Sequence, residues 1–474
     1  MAANYLHGIE TVEIDDGIVT YQQVKTAVIG LVGIAPMGDK NVAILVNNPR
    51  DAAQFGGQLP GFNIPQSLDA IYKQGSATVV VVNVFDPAAH TTQVTDEAQT
   101  VTDGKLKLSA APIGDVTIKS ASGDPVTYVK DTDYSIDQYG NFLVLSAAIP
   151  NSTALKFSFK KLNGAAITAS VLIGGTDATS GNRSGMQCWD DAMPEFGFNP
   201  KILIAPGYSS LTAIAAQLIV AAGNYRAITY LDAPYGTTVA QAIAGRGPAG
   251  TINFNTSSER AELLYPHVKR YDPATDSNQD FPYSAFKAGV RSATDNNAAA
   301  GYWYSDSNRE ILGIVGMERK ISASPSNASS DANLLNEKGI TTLFNFQGTG
   351  IRTWGNRSAA WPSKTKAENF VVVRRVKDMI MDSLEFYSLP FLDLPITNGL
   401  IDAIKQSVNA FIQVLIGRGA LIDGQCTYDP SKNPPSEIQL GHLIFDLEGA
   451  VPTPGERITF NFKHNIDLYK KLGS

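Results

Sequence analysis

Along much of the chain, apolar runs typical of strands are followed by segments whose apolar residues recur at helical spacing. Thr78–Val84 is an apolar run without alternation, as expected for a central strand that is covered on both faces. Further along, a buried strand is predicted at 202–207 and an alanine-rich helix at 212–222. This βαβ rhythm predicts a mixed or parallel sheet. We therefore expect a discontinuous α/β domain that consists of residues 24–86 and 176–320.

The pattern changes between residues 87 and 175, where short runs of alternating polar and apolar residues follow one another. Lys105–Leu108 and Phe142–Leu145 are two of these runs. Turn signals such as Gly123-Asp124-Pro125 separate them. This spacing predicts a small antiparallel β-sandwich, residues 87–175, inserted into the α/β domain.

Strand and helix patterns continue towards the end of the chain. Glu262–Lys269 is predicted as one strand and Phe370–Tyr387 as a helix. Leu400–Leu415 carries apolar residues at helical spacing, with polar residues on the opposite face. We assign residues 321–456 to a carboxy-terminal domain.

A strand-like segment that lacks an evident partner lies at each end of the chain. In the amino-terminal arm, residues 1–23, Val12 and Ile14 alternate with polar residues. The carboxy-terminal arm, residues 457–474, contains the alternating run Arg457–Lys463. Such a strand is rarely stable in isolation, because its backbone groups and its apolar face need a partner. The apolar face of the carboxy-terminal run consists of Ile458, Phe460 and Phe462.

Composition narrows the class of protein. The chain has 474 residues, enough for several domains, and 43% of them are hydrophobic. Its net charge of −7 does not favour nucleic acid as a partner. No apolar run approaches the roughly 18 residues of a membrane span, and the first residues do not resemble a signal peptide. With two distant cysteines, Cys188 and Cys426, we expect a soluble protein that folds in the cytoplasm without a disulfide framework or direct membrane insertion.

A search for catalytic and cofactor-binding motifs gives no candidate. Gly33–Lys40 resembles a phosphate-binding loop, but its lysine is one position late and no Ser or Thr follows it. The histidines never lie three or four residues apart, so no metal-ligand cluster is predicted. Ser184 lacks the Gly-x-Ser-x-Gly spacing of a nucleophile. We therefore expect no enzymatic activity, no cofactor and no metal.

Three short patterns outside the inserted sandwich can be compared with a known family. They are Tyr265-Pro266-His267-Val268, Trp354-Gly355-Asn356-Arg357 and, near the end of the chain, Gly455–Phe460. In their order and spacing these patterns resemble the contractile phage tail sheath family, which includes the sheaths of R-type bacteriocins. Two positions depart from the family pattern: His267 stands where an aromatic residue is common, and Asp306 replaces a proline.

The resemblance implies a multi-domain α/β (α+β) fold. It consists of a sheath-type inner domain with extended terminal arms, an α/β middle domain and the inserted small β-sandwich. The implied function is structural: stacked hexameric rings surround an inner tube and contract to drive that tube through a bacterial envelope. The implied partners are further copies of the chain, the tail tube protein, and the baseplate and tail terminator proteins, without nucleic acid. The implied location is the virion tail, after assembly in the cytoplasm of the host bacterium.

The resemblance also implies roles for particular residues. In the family, both terminal arms complete a sheet in neighbouring subunits, which implies strand exchange through Val12, Ile14, Ile458, Phe460 and Phe462. Trp354, Gly355 and Arg357 match a structural motif of the family. We interpret Trp354 as a packed aromatic residue beside a special backbone position at Gly355. Arg357, Arg374 and Arg375 either hold the carboxy-terminal domain together or bridge subunits.

Two other classes of protein remain open at this point. One is a capsid or cell-surface structural protein whose inserted β module is an adhesin, and it needs no exchanged terminal strands. The other is a carbohydrate-active enzyme with an accessory sandwich, which predicts a cluster of carboxylates.

Overall fold

The computed structural model describes residues 25–472, which form two compact units. The larger unit contains residues 26–378 and 451–472, and the smaller unit contains residues 379–450. The strands are β1 (Val28–Gly33), β2 (Ala43–Val46), β3 (Thr78–Asn83), β4 (Thr91–Thr100), β5 (Lys105–Lys107), β6 (Ile113–Ser120), β7 (Tyr134–Ile136), β8 (Asn141–Val144), β9 (Ala154–Leu162), β10 (Ile202–Ile204), β11 (Ile228–Asp232), β12 (Ala261–Leu264), β13 (Val268–Asp272), β14 (Ser277–Phe281), β15 (Gly316–Met317), β16 (Ile340–Phe344), β17 (Arg352–Trp354), β18 (Asp423–Tyr428) and β19 (Phe445–Ala450). The helices are α1 (Pro49–Ala52), α2 (Ile64–Gln74), α3 (Ala169–Ile173), α4 (Ala192–Phe196), α5 (Thr212–Asn224), α6 (Val239–Ala244), α7 (Tyr283–Asp295), α8 (Asp331–Glu337), α9 (Val371–Ser388), α10 (Asn398–Arg418) and α11 (Pro435–Gln439).

The larger unit is built around an eight-stranded sheet with the order β17-β16-β12-β11-β10-β1-β3-β2. The inner strands are parallel to one another, and the edge strands β2 and β17 are antiparallel to their neighbours. In β3, Val80 and Val82 enter one apolar core, whereas Val79 and Val81 enter a second core. Because both faces are covered, β3 shows no alternation of polar and apolar residues in the sequence.

Helices contribute to both cores. Leu218 of α5 and Leu335 of α8 belong to the same core as Val80. Ile71 of α2 and Phe286 of α7 belong to the core that contains Val79. The protein is therefore a mixed α/β structure in which a mostly parallel sheet is buried between layers.

The central sheet extends beyond the segment in which the sequence placed it. β16 is parallel to β12, with Ile340 opposite Leu263, and it comes from the segment assigned to the carboxy-terminal domain. All five residues of β16 are buried, as in the other inner strands. The change from the larger to the smaller unit lies at Asp378–Met379, within α9, and not near residue 321. Local composition does not reveal this boundary, because α9 continues through it.

The prediction of a single strand at Glu262–Lys269 is wrong. β12 ends at Leu264 and belongs to the central sheet, whereas β13 begins at Val268 and pairs with β14 and β15 in a separate antiparallel sheet. Pro266 lies between them and has no backbone N–H to donate to a neighbouring strand. The proline therefore separates two strands that an apolar run joins in the sequence.

Residues 91–162 contain β4–β9, which form two three-stranded antiparallel sheets. One has the order β4-β9-β6 and the other the order β5-β8-β7. Side chains of both sheets share one apolar core, which includes Phe142, Phe157 and Phe159.

The smaller unit combines α10 with a two-stranded antiparallel hairpin, β18–β19. The Thr397 side chain accepts a hydrogen bond from the Leu400 N–H at the start of α10, and Gly419 ends the helix in a left-handed conformation with φ of 79°. Phe411 and Leu415, two positions of the predicted apolar stripe, are buried. The stripe is therefore ordinary helix packing.

Candidate assembly site

The carboxy-terminal arm is exposed along the part that the structure describes, residues 457–472. Residues 451–465 form no helix or strand, and a short 3₁₀ turn follows at Ile466–Lys471. Ile458 is 74% exposed, and Phe460 and Phe462 are 90% and 91% exposed. Within residues 25–472 no strand pairs with this segment. Exposed apolar side chains at alternate positions are typical of a segment that binds another surface.

The residue before this arm is held by an ion pair. Arg357 Nε donates to Glu456 Oε1 at 3.1 Å, and Nη2 donates to Oε2 at 2.5 Å. The guanidinium carbon also lies 4.2 Å from the ring centre of Trp361 and 3.8 Å from that of Phe370. Two parallel charge-assisted bonds and two aromatic rings fix the planar group in one orientation. We call Arg357–Glu456 the root pair, because it holds the chain where the carboxy-terminal arm begins.

The rest of the predicted motif determines the path of the chain towards Arg357. Trp354, the last residue of β17, stacks on Phe344 of β16 with ring centres 4.2 Å apart. Gly355 follows with φ of 140°, and a Cβ atom there would lie 2.8 Å from Thr341 Cα. Only glycine fits this close approach without strain. The motif is therefore a packed turn between β17 and the root pair.

A second arginine lies next to the other end of the described chain. Arg375 of α9 donates from Nη1 to Asp295 Oδ1 at 2.9 Å and from Nη2 to Asp295 Oδ2 at 2.5 Å. Arg375 Nη2 also donates to the backbone carbonyl of Thr26 at 2.8 Å. Burial would raise the pKa of the Asp295 carboxyl, but Arg291 and Arg375 outweigh burial and hold the pKa below its ordinary value.

The three arginines whose role the sequence left open all have partners in their own chain. Arg357 pairs with Glu456, and Arg375 pairs with Asp295. Arg374 pairs with Asp378, which lies one turn further along α9. All three arginines therefore form ion pairs within their own subunit, and a role in bridging subunits stays a prediction.

A buried ion network that the sequence did not reveal lies beside Arg375. Lys287 Nζ lies 3.0 Å from Glu262 Oε1, 3.0 Å from Asp306 Oδ2 and 3.1 Å from Thr353 Oγ1. Burial would raise the pKa of Asp306, but Lys287 and Arg291 outweigh it and lower that pKa. In contrast, burial raises the pKa of Glu262 despite its contact with Lys287. Asp306, which departs from the family pattern, is thus a member of this network.

This network was missed because Lys287, Arg291 and Asp295 share one polar side of α7, and in a sequence such a side is normally interpreted as a solvated helix face. Tyr283, Lys287 and Arg291 lie at helical spacing, and all three are buried. A charged residue on the buried face of a helix usually has a charged partner. The partners of Lys287 and Arg291 come from distant segments, so only the fold brings them together.

The smaller unit contains a strand edge that is open among the described residues. Asn409 of α10 donates to the Cys426 carbonyl at 3.0 Å and accepts from the Cys426 N–H at 2.8 Å. The Asn409 side chain thereby occupies the edge of β18 that points away from β19. β19 pairs with β18 on one side, and within residues 25–472 no strand pairs with its other side. An open strand edge presents unpaired N–H and C=O groups to a further strand.

The sequence also predicted exchange through the amino-terminal arm, no metal site and no membrane insertion. Val12 and Ile14 lie outside the described residues. Among residues 25–472, no group of three or more His, Cys, Asp or Glu side chains is arranged to hold a metal ion. The helices of the described chain include none that is long and apolar enough to cross a membrane.

Comparisons with known proteins identify the family. A family model for the phage tail sheath protein central domain matches residues 180–359. The tail sheath protein of Burkholderia phage BcepMu is 46% identical over 465 residues, 97% of each chain. The tail sheath protein of Escherichia phage P2 is 24% identical over 462 residues, 96% of this chain and 95% of that protein. The structure of the PVC sheath complex of an extracellular contractile injection system, in its contracted state, has a similar fold. Its TM-score is 0.60, with 14% identity, 99% of this chain covered and 100% of that chain. The chain therefore belongs to the phage tail sheath protein family, whose members are non-enzymatic structural subunits of contractile tails.

Proposed function

We propose that this chain polymerises into a contractile sheath around an inner tube and contracts to drive that tube through a bacterial envelope. Copies of the chain form stacked hexameric rings, and exchanged terminal β-strands link neighbouring copies. The observation that carries the proposal is the carboxy-terminal arm. Its apolar face is exposed, and it is rooted at Glu456 on its own subunit.

The free energy of burying the arm is favourable, but a single arm binds a neighbouring subunit only weakly. Each of Ile458, Phe460 and Phe462 contributes about 1.5–3 kcal/mol when fully buried. Fixing the backbone of each residue in a strand costs about 1–2 kcal/mol, so ordering the run Arg457–Lys463 offsets much of this gain. Hydrogen bonds to a neighbouring strand add about 0.5–1.5 kcal/mol each. A stable polymer therefore depends on many arms acting together.

The open edge of β19 is the acceptor that we propose for the arm, in a second copy of the chain. Adding a strand there satisfies the backbone groups of both strands. It also turns a two-stranded hairpin, which is marginally stable alone, into a three-stranded sheet. The apolar face of the arm then joins the side of the hairpin that carries Cys426 and Leu447, and Cys426 already packs against α10.

The linker between β19 and the arm suits a connection that persists through contraction. Pro452 and Pro454 cannot donate backbone hydrogen bonds, and proline-rich linkers are stiff and extended. Gly455 follows and allows a change of direction before the root pair. The beginning of the arm is thus fixed on one subunit while its apolar part is bound by another. Subunits linked in this way remain connected when they rotate past one another.

We propose the same role for the amino-terminal arm, residues 1–23, with Val12 and Ile14 as the buried side chains. Its contribution remains a prediction. The support for it is indirect: Arg375 holds the Thr26 carbonyl, so the chain just after this arm is fixed to the body of the subunit.

The further partners that we propose are the tail tube protein, the baseplate proteins and the tail terminator protein. The proposed location is the virion tail, with assembly in the cytoplasm of the host bacterium. The relatives named as tail sheath proteins of phages support this location. Nucleic acid, cofactors and metals have no part in the proposed function.

The proposal is tested by changing the apolar face of the arm. Phe460→Asp together with Phe462→Asp is expected to leave the subunit folded and to abolish tubular polymers seen by electron microscopy. Val220→Asp, at a 54% exposed position on α5, is the matched control and is expected to assemble normally. Normal tubes from the double variant would contradict strand exchange through this arm.

A further inference from the structure

The two faces of the carboxy-terminal arm differ in charge as well as in polarity. Arg457, Thr459, Asn461 and Lys463 alternate with the apolar side chains. Over residues 457–474 the arm carries four basic side chains and one acidic side chain, a net charge of +3. This basic arm belongs to a chain whose net charge is −7.

The acceptor hairpin has the opposite charge on its outer face. Residues 379–450 carry nine acidic and three basic side chains, a net charge of −6. In the hairpin, Glu448 lies opposite Gln425, and Asp446 lies opposite Thr427. These residues and Asp423 share the face that points away from Cys426 and Leu447, because side chains alternate along a strand. Asp423 and Glu448 are exposed, and Asp446 is paired with Lys432 at 2.7 Å.

We propose that the acidic outer face of β18–β19 recognises the basic face of the arm from a second copy and determines how the arm is oriented. The inference rests on the proposed function, in which the arm is added to the edge of β19. Placing Phe460 and Phe462 on the Cys426 side places Arg457 and Lys463 on the same face as Asp446 and Glu448 of the adjacent strand β19, with Asp423 on that face one strand further away. The reversed orientation exposes the phenylalanines to water and moves the two cations away from the carboxylates.

Charge on the outer face of the hairpin changes the association rate and the specificity of arm binding more than it changes the final affinity. Opposite charges on neighbouring strands attract, and like charges there are destabilising. Attraction between a basic arm and an acidic acceptor also raises the rate of productive encounters, and salt screens that attraction. Assembly of the wild-type chain is therefore expected to slow by at least about tenfold when NaCl rises from about 50 mM to about 500 mM.

Charge reversal and charge exchange test the inference. Arg457→Glu with Lys463→Glu, and separately Asp423→Lys with Glu448→Lys, are each expected to slow tube formation by at least about tenfold. One chain that carries all four substitutions is expected to recover most of the wild-type rate, because its arm and its acceptor are again opposite in charge. Lys105→Glu with Lys130→Glu is the control for the arm reversal, since both lysines are exposed, lie within the segment 91–162 and change the net charge equally.

The outcomes separate this inference from the proposed function. Wild-type assembly by the arm-reversed chain, combined with failure of the Phe460→Asp, Phe462→Asp chain, overturns the charge inference and leaves strand exchange standing. Normal assembly by the Phe460→Asp, Phe462→Asp chain overturns strand exchange itself. If both single-side reversals fail and the fourfold variant fails equally, the charges do not face one another and the inference is also overturned.

Discussion

The guanidinium of Arg357 forms two hydrogen bonds to the carboxylate of Glu456, the last residue before the exposed carboxy-terminal arm. These residues are 99 positions apart in the chain. Arg357 belongs to the Trp354–Arg357 motif, so the motif fixes the place at which the arm leaves its subunit. A residue that looks structural in the sequence thus supports the element on which assembly is proposed to depend.

Removing the root pair is expected to affect assembly more than folding. Glu456 is exposed, and an exposed ion pair contributes about 0–1 kcal/mol to the free energy of unfolding. Glu456→Gln is therefore expected to change unfolding in urea by less than about 1 kcal/mol, while the yield of pelleted polymer falls. Glu337→Gln, which removes an exposed pair with Lys338, is the control and is expected to polymerise normally. Equal yields from both variants would contradict a role for the root pair.

Gly355→Ala is expected to destabilise the larger unit. The new Cβ would lie 2.8 Å from Thr341 Cα and 2.7 Å from Asn336 Oδ1, at a φ of 140° that other residues rarely adopt. Overpacking and backbone strain of this kind cost about 1–3 kcal/mol each. Gly417→Ala, within α10, is the matched control, because a Cβ at Gly417 would meet no neighbouring atom within 4 Å. Alanine there is expected to stabilise the helix by up to about 1 kcal/mol. Urea denaturation should therefore show a lower free energy of unfolding for Gly355→Ala and an equal or higher one for Gly417→Ala.

Asp295→Asn is expected to alter the dependence of stability on pH. The pKa of Asp295 is lowered in the folded chain, so its contribution is present above the ordinary aspartate pKa of about 3.9 and is lost as pH falls through the lower folded value. The difference in unfolding free energy between wild type and Asp295→Asn should therefore be largest near neutral pH, at about 3–5 kcal/mol, and shrink below about pH 4. A difference that does not change between pH 7 and the acid transition would contradict this assignment.

Cross-linking is expected to place the arm beside β19 of another copy. Glu448→Cys is combined in turn with Thr459→Cys and with Asn461→Cys, since all three positions face the same side in the proposed pairing. The two natural cysteines, Cys188 and Cys426, are buried. Oxidation of assembled tubes should give a ladder of covalent oligomers for at least one pair, because a disulfide requires Cα atoms within about 7 Å. Glu448→Cys with Val220→Cys should give none, and a ladder from this control alone would contradict the acceptor.

The sequence predicted best those strands and helices that their local pattern of apolar residues is sufficient to identify. The run Thr78–Val84 forms a buried inner strand, and the alanine-rich run at 212–222 forms α5. Where a strand was misjudged, at Glu262–Lys269, a single proline divided an otherwise continuous apolar run. Periodicity reports burial and not the sheet to which a strand belongs, which is why β16 was not expected in the central sheet.

Only the local features of the candidate site were predictable from the sequence, because its partners are distant along the chain. The alternation at Ile458, Phe460 and Phe462 is visible in the sequence, and so is the Trp354–Arg357 motif. The partner of Arg357 is not, because a carboxylate 99 positions away is one of 45 acidic residues that could have met it. The same limit applies to the network of Lys287, whose partners are brought together by tertiary packing alone.

The most direct test of strand exchange is removal of residues 457–474 after Glu456. The truncated chain keeps the root pair, and the described part of the arm that it loses is exposed. We expect the truncated chain to unfold cooperatively at the wild-type urea midpoint and to remain unassembled under conditions in which the full chain forms striated tubes. Tubes identical to those of the full chain, or loss of cooperative unfolding in the truncated chain, would contradict the account.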